Sequence, residues 1–566
     1  MILDQNLLPS KVWDICVVGS GPVGMALALE FERLGREVLL IESGGLEFDP
    51  KGSPASSAIL SDARRHAPME IAVCRALGGT SWTWGGRCVA YDDVDLLDRK
   101  FVPQSHWPIS HDEIRPWYKA AVPYMSCGSD QFSIPYSEAL TGGLTLDAVE
   151  RWATNARLIL LHRDKLLASP KIQIALHTTV IGMNFAFDGD GNSQQSVESL
   201  LVRTPSGNQT VRARRVILAT GGVETTRLLL TVQRRHPNLF GVAGGPLGRY
   251  YMGHLSGKIA TIHFNNPASF SDLDFKLEST TGTWIRRRFM LDTQTQLANQ
   301  LLNVAFWPDN PPFYDPSHRS GVLSAVFLAL AFPPTGRKLL SEAIRLAHTG
   351  PRPYQLLEHL RNTIVGAPRA IKDIYRILRD RFLRKPKKPG FLVPNTGGEY
   401  ALHYHAEQIP QPDSRITLHE SETDLYGMPR AVIDLRFDQQ DIDSVIQAHH
   451  MLDKALRANN IGYLRLWYPE AELSSIIWNQ AADGFHQVGS IRMGSDPTTS
   501  VVDSNLKVHG LGNLYIASSA VFPSSGQANS TLLAVALGLR LVHQIHSNSN
   551  SENCSARGGN GQTIQG

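Results

Sequence analysis

The sequence predicts an α/β protein in which a Rossmann-like domain is interwoven with a second domain of antiparallel sheet plus helices. Three observations carry this. A short apolar run, Val12 to Val18, leads directly into Gly19-Ser20-Gly21-Pro22-Val23-Gly24. Far along the chain, Arg214 to Leu218 reads as another apolar strand that ends in the glycine turn Ala219-Thr220-Gly221-Gly222. Between Gly398 and Leu435, apolar and polar residues alternate as in antiparallel strands with one buried face.

Each element has a physical reason. Val12 to Val18 is short, mostly apolar and bounded by glycine, so it reads as a buried strand. In the G-x-G-x-x-G spacing that follows, Gly19 permits a tight turn and Gly21 lets the backbone approach a pyrophosphate. Gly24 lets helix and strand pack closely. The helix that opens near Pro22 aims its positive end at that pyrophosphate, and Gly35 is its expected cap. Arg36 to Glu42 reads as the second strand. Glu42 stands 18 residues after Gly24, where a carboxylate accepts the hydroxyls of an adenosine ribose. A glycine triplet alone also fits a ligand-free turn; the flanking strands and the acid favour a dinucleotide. Val180, on a strand after His177-Thr178-Thr179, is placed to hold an adenine through backbone groups. Thr220 and Gly221 bring a second strand end to the same nucleotide. Near the C-terminus, 501–503, 506–508 and 513–517 read as short strands returning to the core, and an apolar helix covers Leu532 to Ile545. The expected organisation is residues 10–265 mainly in the nucleotide domain and 266–475 mainly in the second. Residues 476–546 then return to the first.

Composition sets bounds. At 566 residues and 42% hydrophobic, the chain can bury at least two cores. Five cysteines, an odd number without C-x-x-C spacing, argue against a disulfide framework or a zinc site, and no metal is expected. The N-terminus lacks a charged and apolar leader, and Gly321 to Phe332 is too short to span a bilayer. A soluble, cytoplasmic protein is the expectation. The net charge of +3 conceals an asymmetry: residues 331–390 hold 14 Lys/Arg against 4 Asp/Glu, so the rest of the chain carries −7. Within this stretch Ile371, Ile374, Tyr375, Leu378 and Phe382 recur at helical spacing beside Arg369, Lys372, Arg376 and Arg379, an amphipathic pattern broken at Arg384 to Pro389. The expected structure is an inserted helical segment packed on the body with a solvated basic face. A membrane-surface contact, a homo-oligomer contact or an anion-rich partner is the sharper alternative. Aromatic interleaving is lacking, so nucleic acid is not expected as a partner. Residues 547–566, rich in Ser, Asn and Gly, are expected to be disordered.

Two C-terminal segments carry candidate chemistry: Phe485-His486-Gln487-Val488-Gly489-Ser490 and Gln527-Ala528-Asn529-Ser530-Thr531. His486 alone is one of 20 histidines, and Asn529 before an apolar run is, on its face, an ordinary N-cap. Over nearly its whole length, except the basic insert, the chain resembles the glucose–methanol–choline (GMC) flavin oxidoreductases. The matching stretches are the Gly19 fingerprint with Glu42, Leu77-Gly78-Gly79-Thr80-Ser81-Trp82-Thr83-Trp84-Gly85-Gly86, Trp107-Pro108-Ile109, Ala219-Thr220-Gly221, and the block from His486 to Thr531. The resemblance implies FAD and a substrate domain with an antiparallel sheet. It also implies a His–His or His–Asn pair above the flavin, which His486 and Asn529 match. Flavin contacts are implied for Gly79, Thr80, Ser81, Thr83, Trp84, Ala517, Ser530 and Thr531.

Within the family the chain is most similar to pyranose oxidases and related sugar oxidases, glycoside 3-oxidases among them. Where fungal pyranose oxidases attach FAD through a histidine, this chain has Thr83, which cannot form that bond, so non-covalent FAD is expected. The implied reaction has His486 accept a hydroxyl proton while Asn529 holds the oxygen and hydride passes to the flavin. The expected substrate is a secondary hydroxyl, C2 or C3, of a sugar or glycoside, with oxygen or a quinone as electron acceptor. His403 and His405 fall on one face of a strand; they are candidates to read sugar hydroxyls and equally fit solvent-facing polar positions. The alternatives are oxidation of a non-sugar alcohol, or a redox-silent FAD-containing lyase such as the hydroxynitrile lyases of this family.

Overall fold

The computed structural model describes residues 1–49, 54–186, 195–340, 342–395 and 397–558. Its first sheet is built around Val12–Val18. Val38–Ile41 lies parallel on one side and the second half of Gly207–Leu218 parallel on the other. Ile172–Ala175 extends the first side and Leu514–Ile516 the second, both also parallel. All four residues of Val38–Ile41 are buried, as expected for a parallel strand covered on both faces. The first half of Gly207–Leu218 pairs antiparallel with Ser196–Thr204, which pairs in turn with Thr179–Ala186. One long strand thus joins the parallel core to an antiparallel arm.

The glycine turn has the required shape. Gly19 has φ +96°, and a Cβ on Gly24 would stand 1.8 Å from the Gly19 carbonyl oxygen. Helix Pro22–Arg33 can therefore cross the strand at this distance only with glycine at 24.

The second large sheet runs Gly462–Leu466, His254–Phe264, Glu399–Glu407, Val304–Asp309, Phe289–Leu291, Leu144–Thr145, with every pairing antiparallel. Its two faces differ. Leu255, Ile262, Leu402, Tyr404 and Phe306 enter an apolar core. The other face presents His254, Ser256 and Lys258 beside Glu407, His405 and His403, with Trp307 and Asp309 on the next strand.

Several expectations change. The alternating stretch from Gly398 to Leu435 is not one sheet. Glu399–Glu407 joins the six-stranded sheet, whereas Arg415–Thr423 and Pro429–Asp434 form a hairpin in a separate three-stranded sheet with Ile59–Leu60. Pro410 and Pro412, which lack the amide a ladder needs, stand between them. Of the three C-terminal short strands, only Leu514–Ile516 forms one; 501–503 and 506–508 make isolated bridges, Val502 with Val508 and Lys507 with Tyr515. The final helix spans Thr531–Gly558 and so runs into the start of the Ser/Asn-rich tail. Extending a helix whose start is already buried costs far less than nucleating one, which lets a Ser/Asn-rich stretch continue it. The remainder of the expected tail lies outside the described residues.

The basic insert is helical, as Pro333–Leu339, Glu342–Thr349 and Leu356–Leu378. The apolar Gly321–Ala331 before it is a short packed helix with Val322, Leu323, Phe327 and Leu330 buried. Leu356–Leu378 packs on that helix, but not through its apolar stripe: Ile371, Tyr375 and Leu378 are exposed. The reason is steric. Gly366 meets Gly321 so closely that a Cβ on Gly321 would stand 2.9 Å from the Gly366 Cα, and this small-residue contact fixes which side faces inward.

Candidate active site

A cavity of about 560 Å³ opens where the glycine turn, the Leu77–Gly86 loop and the C-terminal segments meet. That size suits a small molecule or cofactor. Gly19, Gly21, Glu42, Gly79, Thr80, Ser81, Thr83, Trp84, Val180, Thr220, Gly221, Ala517, Ser530 and Thr531 line it, together with His486 and Asn529. Gly24 does not line it and serves the helix–strand crossing described above. Glu42 is buried; Ser20 and Gly44 donate backbone N–H groups to its two oxygens at 3.1 and 2.8 Å. Thr83 lines the cavity and donates its hydroxyl to the Thr80 carbonyl at 3.3 Å.

His486 is held at both ring nitrogens. Nδ1 lies 3.0 Å from an oxygen of Asp483, and the Asn529 amide nitrogen lies 2.7 Å from Nε2. Burial by itself would raise the Asp483 carboxyl. The neighbouring His486 and hydrogen bonds from His254 and His486 outweigh burial and hold it well below the usual carboxylate range. An ionised carboxylate only accepts, so the imidazole proton sits on Nδ1. Nε2 then carries the lone pair and faces the Asn529 donor. Asn529 Oδ1 is left without a hydrogen-bond partner. Asp483 also accepts from the amides of His254 at 2.8 Å and Phe485 at 2.9 Å, so it is fixed before the histidine is.

Behind His486 stand two further histidines. The ring centroids of His254 and His405 lie 4.6 and 5.7 Å from that of His486 and 4.4 Å from each other. Burial pushes His254 down, and the neighbouring His486 adds to this. Burial also pushes His405 well down, with His254 and Arg87 as like-charged neighbours. His405 donates Nδ1–H to the Gln527 carbonyl at 2.7 Å. The site thus holds one anion and two neutral imidazoles around one proton-accepting nitrogen. The three rings are also, among the described residues, a group whose nitrogens lie within 4.8 Å of one another and are of a type that holds a cation.

The sequence brought His486 and Asn529 forward but not Asp483 or His254. Asp483 sits three residues before His486, a spacing that gave a signal only in hindsight of the turn that folds it back. His254 comes from a distant strand with no motif around it. Arg75 paired with Glu224 at 2.8 Å, and Arg227 paired with Asp424 at 2.6 Å, also line the cavity from separated segments. Neither His403 nor His405 lines the cavity. His405 is buried against His254, and His403 stacks on Trp307 at 4.5 Å between centroids, with Ser256 Oγ 2.8 Å from its Nε2. Neither is a simple solvent-facing position.

Residues 410–538 match the family model described as GMC oxidoreductase. The chain is 24% identical to 6'''-hydroxyparomomycin C oxidase of Streptomyces lividus, over 95% of this chain and 92% of that one. It is 30% identical to C-glycoside 3-oxidase of Arthrobacter globiformis, but over 24% of each chain. Its fold is similar to that of an FAD-dependent oxidoreductase from Chaetomium thermophilum, at TM-score 0.53 and 14% identity over 95% of this chain and all of that one.

The residues present fit FAD. Nothing lies within 4 Å of where a Cβ on Gly21 would be, so the backbone is bare toward the cavity. Helices Pro22–Arg33 and Thr531–Gly558 both begin at its wall and offer free N–H groups to anionic groups. With Thr83 in the loop, acid precipitation is expected to leave FAD in the supernatant; yellow colour pelleting with the protein would show a covalent bond instead. The chain is similar to the GMC oxidoreductases, whose model its residues 410–538 match, and is an FAD-dependent enzyme that oxidises CH–OH groups.

Proposed function

We propose that this enzyme oxidises a secondary hydroxyl of a sugar or glycoside, at C2 or C3, to a ketone. The observation that carries the reading is the pairing of His486 Nε2 with the Asn529 amide at 2.7 Å on the cavity wall. An alcohol oxygen that replaces this direct hydrogen bond accepts from Asn529 and gives its proton to the freed Nε2. Asp483 then balances the imidazolium charge and keeps the ring from turning. Bound FAD would supply the acceptor for the hydride of the same carbon.

The substrate class is supported by two relatives: C-glycoside 3-oxidase, and pyranose 2-oxidase from Tricholoma matsutake, to which the chain is 30% identical over 21% of its length, are named for the 3-position of a glycoside and the 2-position of a pyranose. A ketone at C3 would acidify the neighbouring C–H bonds and allow a glycoside to lose its aglycone.

Turnover of glucose and of an aryl glucoside, followed by NMR of the products, tests the reading. The expected product is the 2- or 3-keto derivative of glucose or of the glucoside. A product oxidised only at C1 or C6 would overturn the assignment of carbon. Rapid turnover of simple alcohols with none of any sugar would overturn the substrate class.

A further inference from the structure

We propose that the outward face of helix Leu356–Leu378 docks this enzyme on an anionic lipid surface. The polarity of this helix is inverted with respect to the protein. Its inner face is polar and small: His359 lies 3.1 Å from the Ser324 hydroxyl, Asn362 donates to the Pro316 carbonyl at 2.8 Å, and Gly366 packs on Gly321. Its outer face is apolar. Leu357 is 82% exposed, Val365 77% and Ile371 69%, and Leu360, Ile364 and Tyr375 are exposed beside them. At 100° per residue, Leu357, Leu360, Ile364, Ile371 and Tyr375 fall on one narrow stripe, which runs along a helix roughly 35 Å long. Leaving such side chains in water forgoes their burial along the whole stripe.

Charge identifies the occupant. Arg361, Lys372 and Arg379 project along one edge of the stripe, and Arg384, Lys385 and Lys387 follow its end, all exposed. The segment 331–390 carries net +10 while the rest of the chain carries −7. A two-fold contact with a second copy would set two such segments face to face, a repulsion that works against self-association. An anionic bilayer satisfies both halves of the pattern: acyl chains take the apolar stripe and headgroups take the basic edge. No helix among the described residues is long and apolar enough to cross a membrane, so the contact lies in the plane of the surface.

The full-length, FAD-loaded protein is to be sedimented with phosphatidylcholine vesicles, with and without phosphatidylglycerol at about a third of the lipid. Two double variants accompany it, Ile364→Glu with Ile371→Glu and Lys372→Glu with Arg379→Glu. Unchanged FAD content and melting temperature show that these exposed substitutions leave the fold intact. Binding to anionic vesicles is expected to exceed binding to neutral ones by roughly tenfold or more and to weaken with salt. Each double variant is expected to cut it by at least about tenfold, since one basic residue near such a surface is worth roughly fivefold in partitioning. Protein that stays in the supernatant with every vesicle would overturn the proposal. So would an oligomer, seen by light scattering, that the Ile364→Glu, Ile371→Glu variant splits, because the stripe would then be a subunit interface.

Discussion

His486→Ala is expected to retain FAD and to slow reduction of the flavin by alcohol substrate by roughly 10²–10⁴-fold, the usual worth of a positioned general base. Retention follows from where the cofactor's groups would be held. The backbone of Gly19 to Gly24, with Glu42 accepting from Ser20, would hold the pyrophosphate, whereas His486 is held by Asp483 and Asn529. The rate loss follows from the lone pair. Nε2 is the nitrogen that faces the Asn529 donor, and the ring is held in that orientation by the Asp483 carboxylate at Nδ1. His254 and His405 stand close by, but both are buried and are driven toward their neutral forms, and His405 spends its N–H on the Gln527 carbonyl. They are poorly placed to replace the missing base, although a water entering the vacated space can relay a proton slowly. Anaerobic stopped-flow absorbance measures the reduction step directly. A variant that bleaches its flavin at the parent rate would remove His486 from the mechanism.

Much of this site was legible because its parts are local. The G-x-G-x-x-G turn, the acid after the second strand and the Leu77–Gly86 loop are each contiguous, and their residue types are set by backbone shape and by charge at a helix end. The inner and outer faces of Glu399–Glu407 were likewise readable as alternation. What the sequence concealed arises from tertiary contact. Asp483 becomes the partner of His486 only because a tight turn at Gly484, with φ +119°, folds its carboxylate back on the ring. His254 reaches the cluster through the pairing of its strand with Glu399–Glu407, a register set far from any motif. The direction in which an amphipathic helix faces is also not a property of its periodicity. Leu356–Leu378 shows a clear apolar stripe, yet the Gly366–Gly321 contact turns that stripe outward.

Asp483→Asn is expected to slow flavin reduction nearly as much as loss of the histidine, roughly 10²–10⁴-fold, by placing the proton on the wrong nitrogen. One carboxylate oxygen accepts from the amides of Phe485 and His486, and the other from the amide of His254 and from His486 Nδ1. An amide oxygen can satisfy only one of these positions. If it takes the Phe485 and His486 amides, its NH₂ group faces Nδ1 as a donor. The imidazole must then present a lone pair at Nδ1 and carry its proton on Nε2, where the base is needed. A second readout separates this from mere loosening of the loop. Asp483→Glu keeps an acceptor for the Nδ1 proton and is expected to recover at least about tenfold of the rate that Asp483→Asn loses, with FAD content and melting temperature alike in the two. Anaerobic flavin reduction measured for both variants tests the assignment. Equal rates in the two variants would show that Asp483 only supports the turn.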